Sequence, residues 1–248
     1  MKKIYYILLG ITYSLLLTNC SSLYIPTTPN IPLFKKGNEF QLEATASLNG
    51  VNGKSAYSPF KHFALQCNAQ YVIEPYVLDS IRKGHNYYEG AGGTYFCLRN
   101  RTILEFYGGY GLGSSTYGDP LFIQEKYLQS AKGNYKKMYG QVNLGNHKWI
   151  KNGACGLSVR SGNVRYTYDY ANFKWLNGKT IDHYFIETYM FVSKQINKRI
   201  SLVGYYGFTL IQGLTTQGYK ATMRTGITNT GVGFRLTIGR KEEVAKSE

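Results

Sequence analysis

Apolar and polar residues alternate along most of the chain from Asn38 onward. In the first such stretch the apolar positions are Phe40, Leu42, Ala44, Ala46 and Leu48, with Gln41, Glu43, Thr45 and Ser47 between them. Successive side chains of a β-strand point to opposite faces, so this pattern predicts a strand with one apolar and one polar face. A helical period is nowhere sustained, and the chain is therefore predicted to be all-β.

The same alternation recurs along the chain and predicts about ten strands. They lie near residues 38–48, 52–58, 63–71, 85–98, 104–112, 138–144, 153–168, 184–192, 200–210 and 231–238. The alternation changes phase near Gly162, which predicts a β-bulge in the seventh strand. Strands of this length suit a tilted crossing of a lipid bilayer, which takes about 9–11 residues.

The connections between these strands fall into two classes. Short turns are predicted at 58–62, 99–100, 146–152 and 194–199, and long connections at 74–84, 114–134, 169–181 and 211–224. Short turns at one end and long loops at the other are typical of outer-membrane barrels, whose turns face the periplasm. The sequence therefore predicts an antiparallel up-and-down β-barrel that begins and ends on the periplasmic side. A soluble lipocalin-like barrel, with its apolar faces turned inward, would show the same alternation and stays open as an alternative.

The polar faces of the predicted strands carry several charged residues. If the apolar faces meet lipid, the alternation places these charges in the lumen: Glu43, Glu89, Glu105, Glu187, Arg160 and Arg235. Charges in a narrow interior are costly unless they are paired, so we expect a salt-bridged network that blocks or narrows the channel. A path for ions or solutes lined by the same residues is the alternative.

The first twenty residues have the pattern of a bacterial lipoprotein signal. Two lysines precede an uncharged run from Ile4 to Leu17, which is too short to span a bilayer, since spanning takes about 20 apolar residues. Leu17 and Cys20 stand at the positions of a lipobox, in which the cysteine becomes the acylated N-terminus. We expect residues 1–19 to be removed and palmitate or another acyl chain to be attached at Cys20. A plain signal peptide with an incidental cysteine is the alternative.

A stretch without periodicity separates the predicted signal from the first strand. Residues 20–37 include three of the six prolines of the chain and predict an extended tether, which at about 3.1 Å per residue could reach roughly 50 Å. The barrel domain is predicted at 38–240, followed by a charged tail at 241–248. With its lipid in the inner leaflet of the outer membrane, such a tether would start the first strand from the periplasmic face.

The composition bears on possible partners. The chain carries a formal net charge of +15, with 24 Tyr and 28 Gly. Basic, tyrosine-rich chains can bind nucleic acid, but an exported protein rarely meets it, and no nucleic-acid-binding motif is present. We expect outer-membrane lipid as the partner, with lipopolysaccharide or another envelope protein as further candidates.

No catalytic or metal-binding pattern stands out in the sequence. The cysteines after Cys20 form no CxxC pair or Cys/His cluster, so neither a metal nor a cofactor is expected. Gly108–Gly113 lacks the Lys-Ser/Thr of a phosphate loop and is interpreted as glycines that ease barrel curvature. His183 beside Asp182 is the pair most worth testing for catalysis, and an interfacial polar role is the simpler interpretation. We therefore expect a non-enzymatic protein.

The N-terminal region carries a family resemblance. Residues 19–72 combine the cysteine at 20, a Tyr-Ile-Pro segment, Pro-Leu-Phe-Lys-Lys-Gly at 32–37 and Ala-Tyr-Ser-Pro-Phe-Lys-His at 56–62. In these features the chain resembles exported lipoproteins of Bacteroidota that carry an outer-membrane-type β-barrel. The resemblance implies a lipid-anchored outer-membrane location, and it assigns no activity. The expected role is structural or accessory in the cell envelope, with a small channel or a soluble ligand-binding barrel as alternatives.

Overall fold

The computed structural model describes residues 25–47, 49–72, 82–119, 129–171, 178–214 and 224–239. The predicted signal sequence, Cys20, the predicted tail and parts of the predicted long connections lie outside these ranges. Within the described ranges, ten strands close into one antiparallel barrel, which confirms the predicted fold class. The strands are β1 Glu39–Ser47, β2 Gly50–Phe60, β3 Phe63–Val72, β4 Arg82–Cys97, β5 Thr102–Asp119, β6 Gln129–Asn146, β7 Gly153–Ala171, β8 Thr180–Gln195, β9 Ile200–Leu214 and β10 Arg224–Ile238.

The barrel closes through the pairing of its first and last strands, with Phe40 opposite Ile238 and Ser47 opposite Gly231. β1 therefore begins, and β10 ends, at the same end of the barrel. This short-turn end carries the turns at 61–62, 98–101, 147–152 and 196–199. The opposite, long-connection end carries the connections at 48–49, 73–81, 120–128, 172–179 and 215–223.

Helix is almost absent from the described part of the chain. A single 3₁₀ turn at Arg99–Arg101 joins β4 to β5. No helix in the described ranges is long and apolar enough to cross a membrane.

β4 to β10 extend further toward the long-connection end than the alternation indicates. β5 and β6 stay paired in continuous register from Thr102 opposite Asn146 to Asp119 opposite Gln129. The predicted connection at 114–134 is therefore largely strand, and the prediction was wrong in its extent. The reason is that both faces of this region are polar or tyrosine-rich, so the strand continues after the hydrophobic alternation has faded.

The predicted bulge at Gly162 is also wrong. β7 passes through Gly162 in unbroken register with both neighbouring strands. A register shift between β6 and β7 lies instead where Tyr168 and Tyr170 of β7 face the start of β6. Ser161 and Asn163 explain the error, because they place two small polar residues on an otherwise apolar outer face and so imitate a change of phase.

The apolar faces of the strands point outward. Leu65 is 46% exposed, Met138 66% and Phe234 58%, and large apolar residues are exposed on all ten strands described. The polar faces point into the lumen, where most side chains are buried. This arrangement is the reverse of a soluble lipocalin-like barrel, whose apolar faces line the interior. The soluble alternative is therefore not what the chain adopts.

The outward apolar side chains form a continuous belt around the barrel. In β5 the belt runs from Leu104 to Leu112, and in β9 from Leu202 to Leu210. Both stretches have the length that a tilted strand needs to cross a hydrocarbon core, about 9–11 residues. At the short-turn end the belt is bordered by exposed aromatic side chains, such as Trp149 in the turn after β6. Aromatic borders of this kind are typical of membrane barrels.

The N-terminal part of the described chain lies inside the barrel. Residues 25–34, here called the lumen segment, form no regular structure, and every residue from Pro26 to Phe34 is buried. Where the sequence predicts an extended tether at 20–37, the structure instead packs residues 26–34 among the side chains of the lumen. The three prolines lack a backbone N–H and so could not join a sheet in regular register. Their carbonyl groups can still accept hydrogen bonds from lumen side chains.

Candidate functional site in the barrel lumen

The N-terminal part of the lumen segment is held by four strands. Asn229 Nδ2 of β10 donates to the Pro26 carbonyl at 3.1 Å. Tyr189 of β8 donates its hydroxyl to the Thr27 carbonyl at 3.1 Å, and Arg160 Nη1 of β7 donates to Thr27 Oγ1 at 3.1 Å. These donors come from one side of the barrel, and Asn68 Nδ2 of β3, on the opposite side, donates to the Thr28 carbonyl at 3.2 Å, so the segment bridges the lumen.

The middle of the lumen segment is bonded to β2 and β6. Lys54 Nζ donates to the Pro29 carbonyl at 3.1 Å. Asn30 uses its side chain as a donor to the Ser55 carbonyl at 2.8 Å, while its own carbonyl accepts from Gln141 Nε2 at 2.7 Å. Backbone groups of a buried irregular chain need such partners, because an unpaired buried polar group costs about 1–3 kcal/mol.

The C-terminal part of the lumen segment fills the short-turn end of the lumen. Gln41 Nε2 donates to the Pro32 carbonyl at 2.9 Å, and the Phe34 N–H donates to Glu105 Oε1 at 3.1 Å. The Phe34 ring is fully buried, with its centroid 5.8 Å from that of Tyr95. This part of the segment thus makes polar contacts through its backbone and an apolar contact through the Phe34 side chain.

The chain leaves the lumen at the short-turn end and reverses into β1. Leu33 and Asn38 have φ values of 54° and 57°, in the left-handed region that sharp changes of direction use. The Asn38 N–H then donates to the Ser58 carbonyl at 2.6 Å. This contact places the start of β1 beside the end of β2, so the direction of the lumen segment is fixed at this end.

A first ion cluster surrounds Glu43, which is 3% exposed. Its carboxylate lies 2.8 Å from Lys54 Nζ and 2.7 Å from Arg235 Nη2, and it accepts the Tyr205 hydroxyl at 2.8 Å. The Lys54 ammonium also lies 4.1 Å from the Tyr205 ring centroid. Because Lys54 also donates to the lumen segment, this cluster joins the segment to β1, β2 and β10.

A second ion cluster surrounds Arg160, which is fully buried. Arg160 forms a short ion pair with Glu89 and lies 3.7 Å from Glu187, and its Nε donates to Gln141 Oε1 at 2.7 Å. Lys137 Nζ lies 3.3 Å from Glu187 Oε2, the same oxygen that Arg160 approaches. Charges taken this far from water are tolerated only when the surrounding partners are complete. The cluster links β4, β6, β7 and β8 across the lumen.

The six charged residues assigned to the lumen from the sequence all lie there: Glu43, Glu89, Glu105, Glu187, Arg160 and Arg235. The structure divides five of them between the two ion clusters. Glu105 belongs to neither cluster, and among the described residues it forms no ion pair. It accepts the Phe34 N–H and an Asn143 Nδ2 donor at 2.9 Å instead.

Sequence reasoning missed two buried cations, Lys54 and Lys137. Both lie where the alternation of inward and outward side chains places them. Lys54 is on the inward face of its strand with Asn52, and Lys137 is on the inward face of its strand with Gln141. Extending the alternation into regions without a clear apolar face would have found both residues.

In the long-connection half of the lumen, the side formed by β4 to β7 carries aromatic rings instead of charges. Five side chains form a continuous series of ring contacts: His85, Tyr87, Tyr135, Tyr166 and Tyr168, here called the ring stack. Neighbouring centroids lie 5.0 to 6.2 Å apart. His85 Nε2 also hydrogen-bonds to the Tyr135 hydroxyl, and Ser115 Oγ hydrogen-bonds to that of Tyr166. The rings come from β4, β6 and β7.

Alternate glycines of β5 make room for these rings. A Cβ atom on Gly111 would lie 2.2 Å from the Tyr87 hydroxyl oxygen, and one on Gly113 would lie 2.3 Å from Tyr135 Cζ. Gly109 stands in the same relation to Tyr139, at 2.3 Å. The glycine-rich run, interpreted from the sequence as easing barrel curvature, therefore also creates the space that the tyrosines occupy.

The side chains of Asp182 and His183, which are neighbours in the sequence, point to opposite faces of β8. Asp182 points outward and forms an ion pair with Arg165 Nε at 2.8 Å. His183 points inward, where its ring meets that of Tyr166 edge-on at 6.3 Å. Neighbouring residues of a strand face opposite sides, so Asp182 cannot orient His183 as the acid of a catalytic triad does.

Comparisons with known proteins give a likeness of fold only. No protein-family model matches the chain, and no curated protein matches it. Among solved structures it is similar to the translocator domain of the autotransporter NalP from Neisseria meningitidis, with a TM-score of 0.39 and 9% identity over 80% of this chain and 86% of that one. It is also similar to the outer-membrane expressed OmpT of Vibrio cholerae, with a TM-score of 0.26 and 14% identity over 75% of this chain and 64% of that one.

Proposed function

We propose that this chain is a non-enzymatic outer-membrane barrel with a structural or accessory role in the cell envelope, closed by its own lumen segment. The apolar belt supports the membrane location. A soluble monomer rarely exposes contiguous apolar patches beyond a few hundred Å², whereas here large apolar side chains are exposed on every described strand. A bilayer removes that surface from water.

The observation that carries the proposal is the burial of the lumen segment. It is bonded along its length to opposite walls of the barrel, from Asn229 to Glu105. A small channel, the alternative from the sequence, would require the segment to leave the lumen. Its departure would also leave buried partners such as Lys54 and Gln141 without the carbonyl groups that they now meet. The closed barrel is therefore the favoured resting state.

The proposal includes acylation at Cys20 and membrane lipid as the main partner. On the outer face of β6 and β7, Lys136 lies opposite Arg165, beyond Met138 of the belt toward the long-connection end. Basic side chains at the edge of an apolar belt are placed to meet lipid phosphates, including those of lipopolysaccharide. We expect any further envelope partner to meet a barrel already surrounded by such lipid.

Conductance in planar bilayers tests the proposed closure. The full chain should insert without stable conductance. A variant lacking residues 25–34 should give stable open channels, because the short-turn half of the lumen then loses its filling. A variant lacking residues 241–248 is the matched control, since it shortens the chain but keeps the whole lumen segment, and it should stay closed.

Stable nanosiemens channels from the full chain would overturn the proposal in favour of the channel. Closed behaviour of the variant that lacks residues 25–34 would show that the lumen segment is not what seals the barrel. Folding of each variant is checked beforehand by the shift in gel mobility between unheated and boiled samples.

A further inference from the structure

The outer face of the barrel changes from apolar to polar at the long-connection edge of the belt. On β4 to β8, outward side chains that pair in register form two rows across the sheet. The row next to the belt is Tyr88, Leu112, Lys136, Arg165 and Asp182, and the row beyond it is Asn86, Ser114, Asn134, Thr167 and Thr180. These ten residues are here called the polar ledge.

The polar ledge lines a groove of about 730 Å³ on the outside of the barrel. Neighbouring strands lie about 4.8 Å apart, so five strands give the ledge a width of about 19 Å. The exposed side chains of Tyr88 and Leu112 form the apolar side of the groove and continue the belt. A ligand in the groove would therefore meet apolar surface on one side and polar groups on the other, as a lipid headgroup does.

Two basic side chains project from the row next to the belt. Lys136 is exposed and forms no ion pair with any described residue. Arg165, whose side chain is 62% exposed, donates Nε and Nη2 to Asp182 and keeps Nη1 for another acceptor. Lys136 lies directly opposite Arg165 in register, so both cations can meet the oxygens of one phosphate. With one carboxylate against two cations, the ledge keeps a net positive charge.

The row beyond it carries a hydroxyl or an amide group on each of the five strands. Thr167 Oγ1 and Thr180 Oγ1 hydrogen-bond at 3.1 Å, and Asn134 Nδ2 donates to Asp169 at 2.9 Å. These contacts orient the groups but use only part of their capacity, since a hydroxyl has one donor and two acceptor sites. Sugar hydroxyls, which also donate and accept, suit such a row. At the short-turn end, by contrast, exposed apolar side chains such as Trp149 border the belt.

We propose that the polar ledge binds the phosphorylated sugar headgroup of a glycolipid in the membrane leaflet at the long-connection end. Lys136 and Arg165 hold the phosphate, the row of hydroxyl and amide groups meets the sugar hydroxyls, and the acyl chains lie along the belt below Tyr88 and Leu112. This inference deepens the lipid partnership of the proposed function and rests on the membrane location given there. It adds a preference for phosphorylated sugars over glycerophospholipids.

Native mass spectrometry of the full chain in detergent tests this preference. The probes are lipid A, which is an acylated and phosphorylated disaccharide, and phosphatidylglycerol, which has a phosphate but no sugar ring. The wild type should retain lipid A in preference to phosphatidylglycerol. Lys136→Gln combined with Arg165→Gln should weaken retention of lipid A about 30-fold, because each basic residue near a membrane surface strengthens lipid binding about fivefold.

Lys148→Gln combined with Lys151→Gln is the matched control. It makes the same change of charge in exposed residues at the short-turn end, so it should retain lipid A as the wild type does. An equal loss in this control would show that overall charge, and not the polar ledge, binds the lipid. Folding of each variant is checked by the shift in gel mobility between unheated and boiled samples.

A second pair of changes tests the recognition of the sugar. Thr167→Val combined with Thr180→Val removes two hydroxyls and keeps both cations, so it should lower the preference for lipid A without changing the retention of phosphatidylglycerol. Equal retention of the two lipids by the wild type would overturn the inference, and so would undiminished binding of dephosphorylated lipid A. A conducting wild-type barrel would count against the proposed closure and not against this lipid preference, so the two failures can be told apart.

Discussion

The two halves of the lumen are filled in different ways. In the short-turn half, the lumen segment occupies the space, and the cluster around Glu43 ties it to the wall. In the long-connection half, the ring stack packs along the side formed by β4 to β7, and glycines such as Gly111 leave room for the rings. The cluster around Arg160 lies at the junction, because it touches both Thr27 and Glu89, and Glu89 accepts the hydroxyl of Tyr87.

The difference follows from the size of the wall side chains. An eight-stranded barrel is just wide enough for side chains to fill, and ten strands enclose a wider space. On β1 to β3 the inward residues are of modest size, such as Thr45, Asn52 and Asn68, and they leave a gap that another chain must fill. On β4, β6 and β7 the inward residues include large aromatic rings, which meet one another over the glycines of β5. We therefore expect the short-turn half to depend on charge pairing and the long-connection half to depend on ring packing.

The largest expected effect is in the short-turn half. Glu43→Gln leaves Lys54 and Arg235 buried without their carboxylate, and removal of one partner from a buried ion pair costs about 3–5 kcal/mol. Urea unfolding of the barrel in detergent micelles, followed by heat-modifiable gel mobility, should show a loss of stability of this order. The lumen segment should also become more susceptible to protease.

Asp182→Asn is the matched control, because it makes the same change in a carboxylate whose partner, Arg165, is exposed. Exposed ion pairs are screened by water, so this variant should unfold close to the wild-type urea concentration. Equal losses for the two variants would show that the Glu43 cluster has no special role in holding the short-turn half.

An intermediate effect is expected in the long-connection half. Gly111→Val places a side chain where the Tyr87 ring now lies, and overpacking of a filled interior typically costs about 1–3 kcal/mol. Gly53→Val is the matched control, because a Cβ there has no atom within 4 Å and faces outward. The same unfolding assay should show a loss for Gly111→Val only. A loss of similar size at Gly53 would mean that any larger residue weakens the barrel, whatever it faces.

Much of this lumen could be predicted from the sequence, because strand parity is a local property. The alternation around Glu43 and Arg160 was sufficient to place both residues inside. The position of the lumen segment could not be predicted in the same way. Pro26–Phe34 has no periodicity, and its burial depends on contacts with residues as distant in the chain as Asn229. Long-range contacts of this kind leave no local signal in the sequence. A proline-containing stretch has the same composition whether it forms a tether or lies in a barrel lumen.

The extent of the longer strands was missed for a related reason. Near Lys132 and Asn134 the outer face is polar, while Tyr135 and Lys137 face inward, so neither face is simply apolar. The backbone ladder continues all the same, because pairing depends on hydrogen bonds between strands and not on hydrophobic contrast. Alternation therefore marks the membrane-facing belt and underestimates the length of the strands.

The smallest expected effect separates rings from hydroxyls in the ring stack. Tyr166→Phe removes the hydrogen bond to Ser115 and keeps the ring, whose centroid lies 5.0 Å from that of Tyr135. The loss of one such bond should cost about 0.5–1.5 kcal/mol. Tyr166→Leu removes the ring as well, and should cost about 0.5–1.5 kcal/mol more for the lost aromatic contact. If the two variants unfold at the same urea concentration, hydroxyl bonding holds this half, and both halves of the lumen depend on polar contacts. A further loss of stability for Tyr166→Leu alone would show that ring packing distinguishes the long-connection half from the short-turn half.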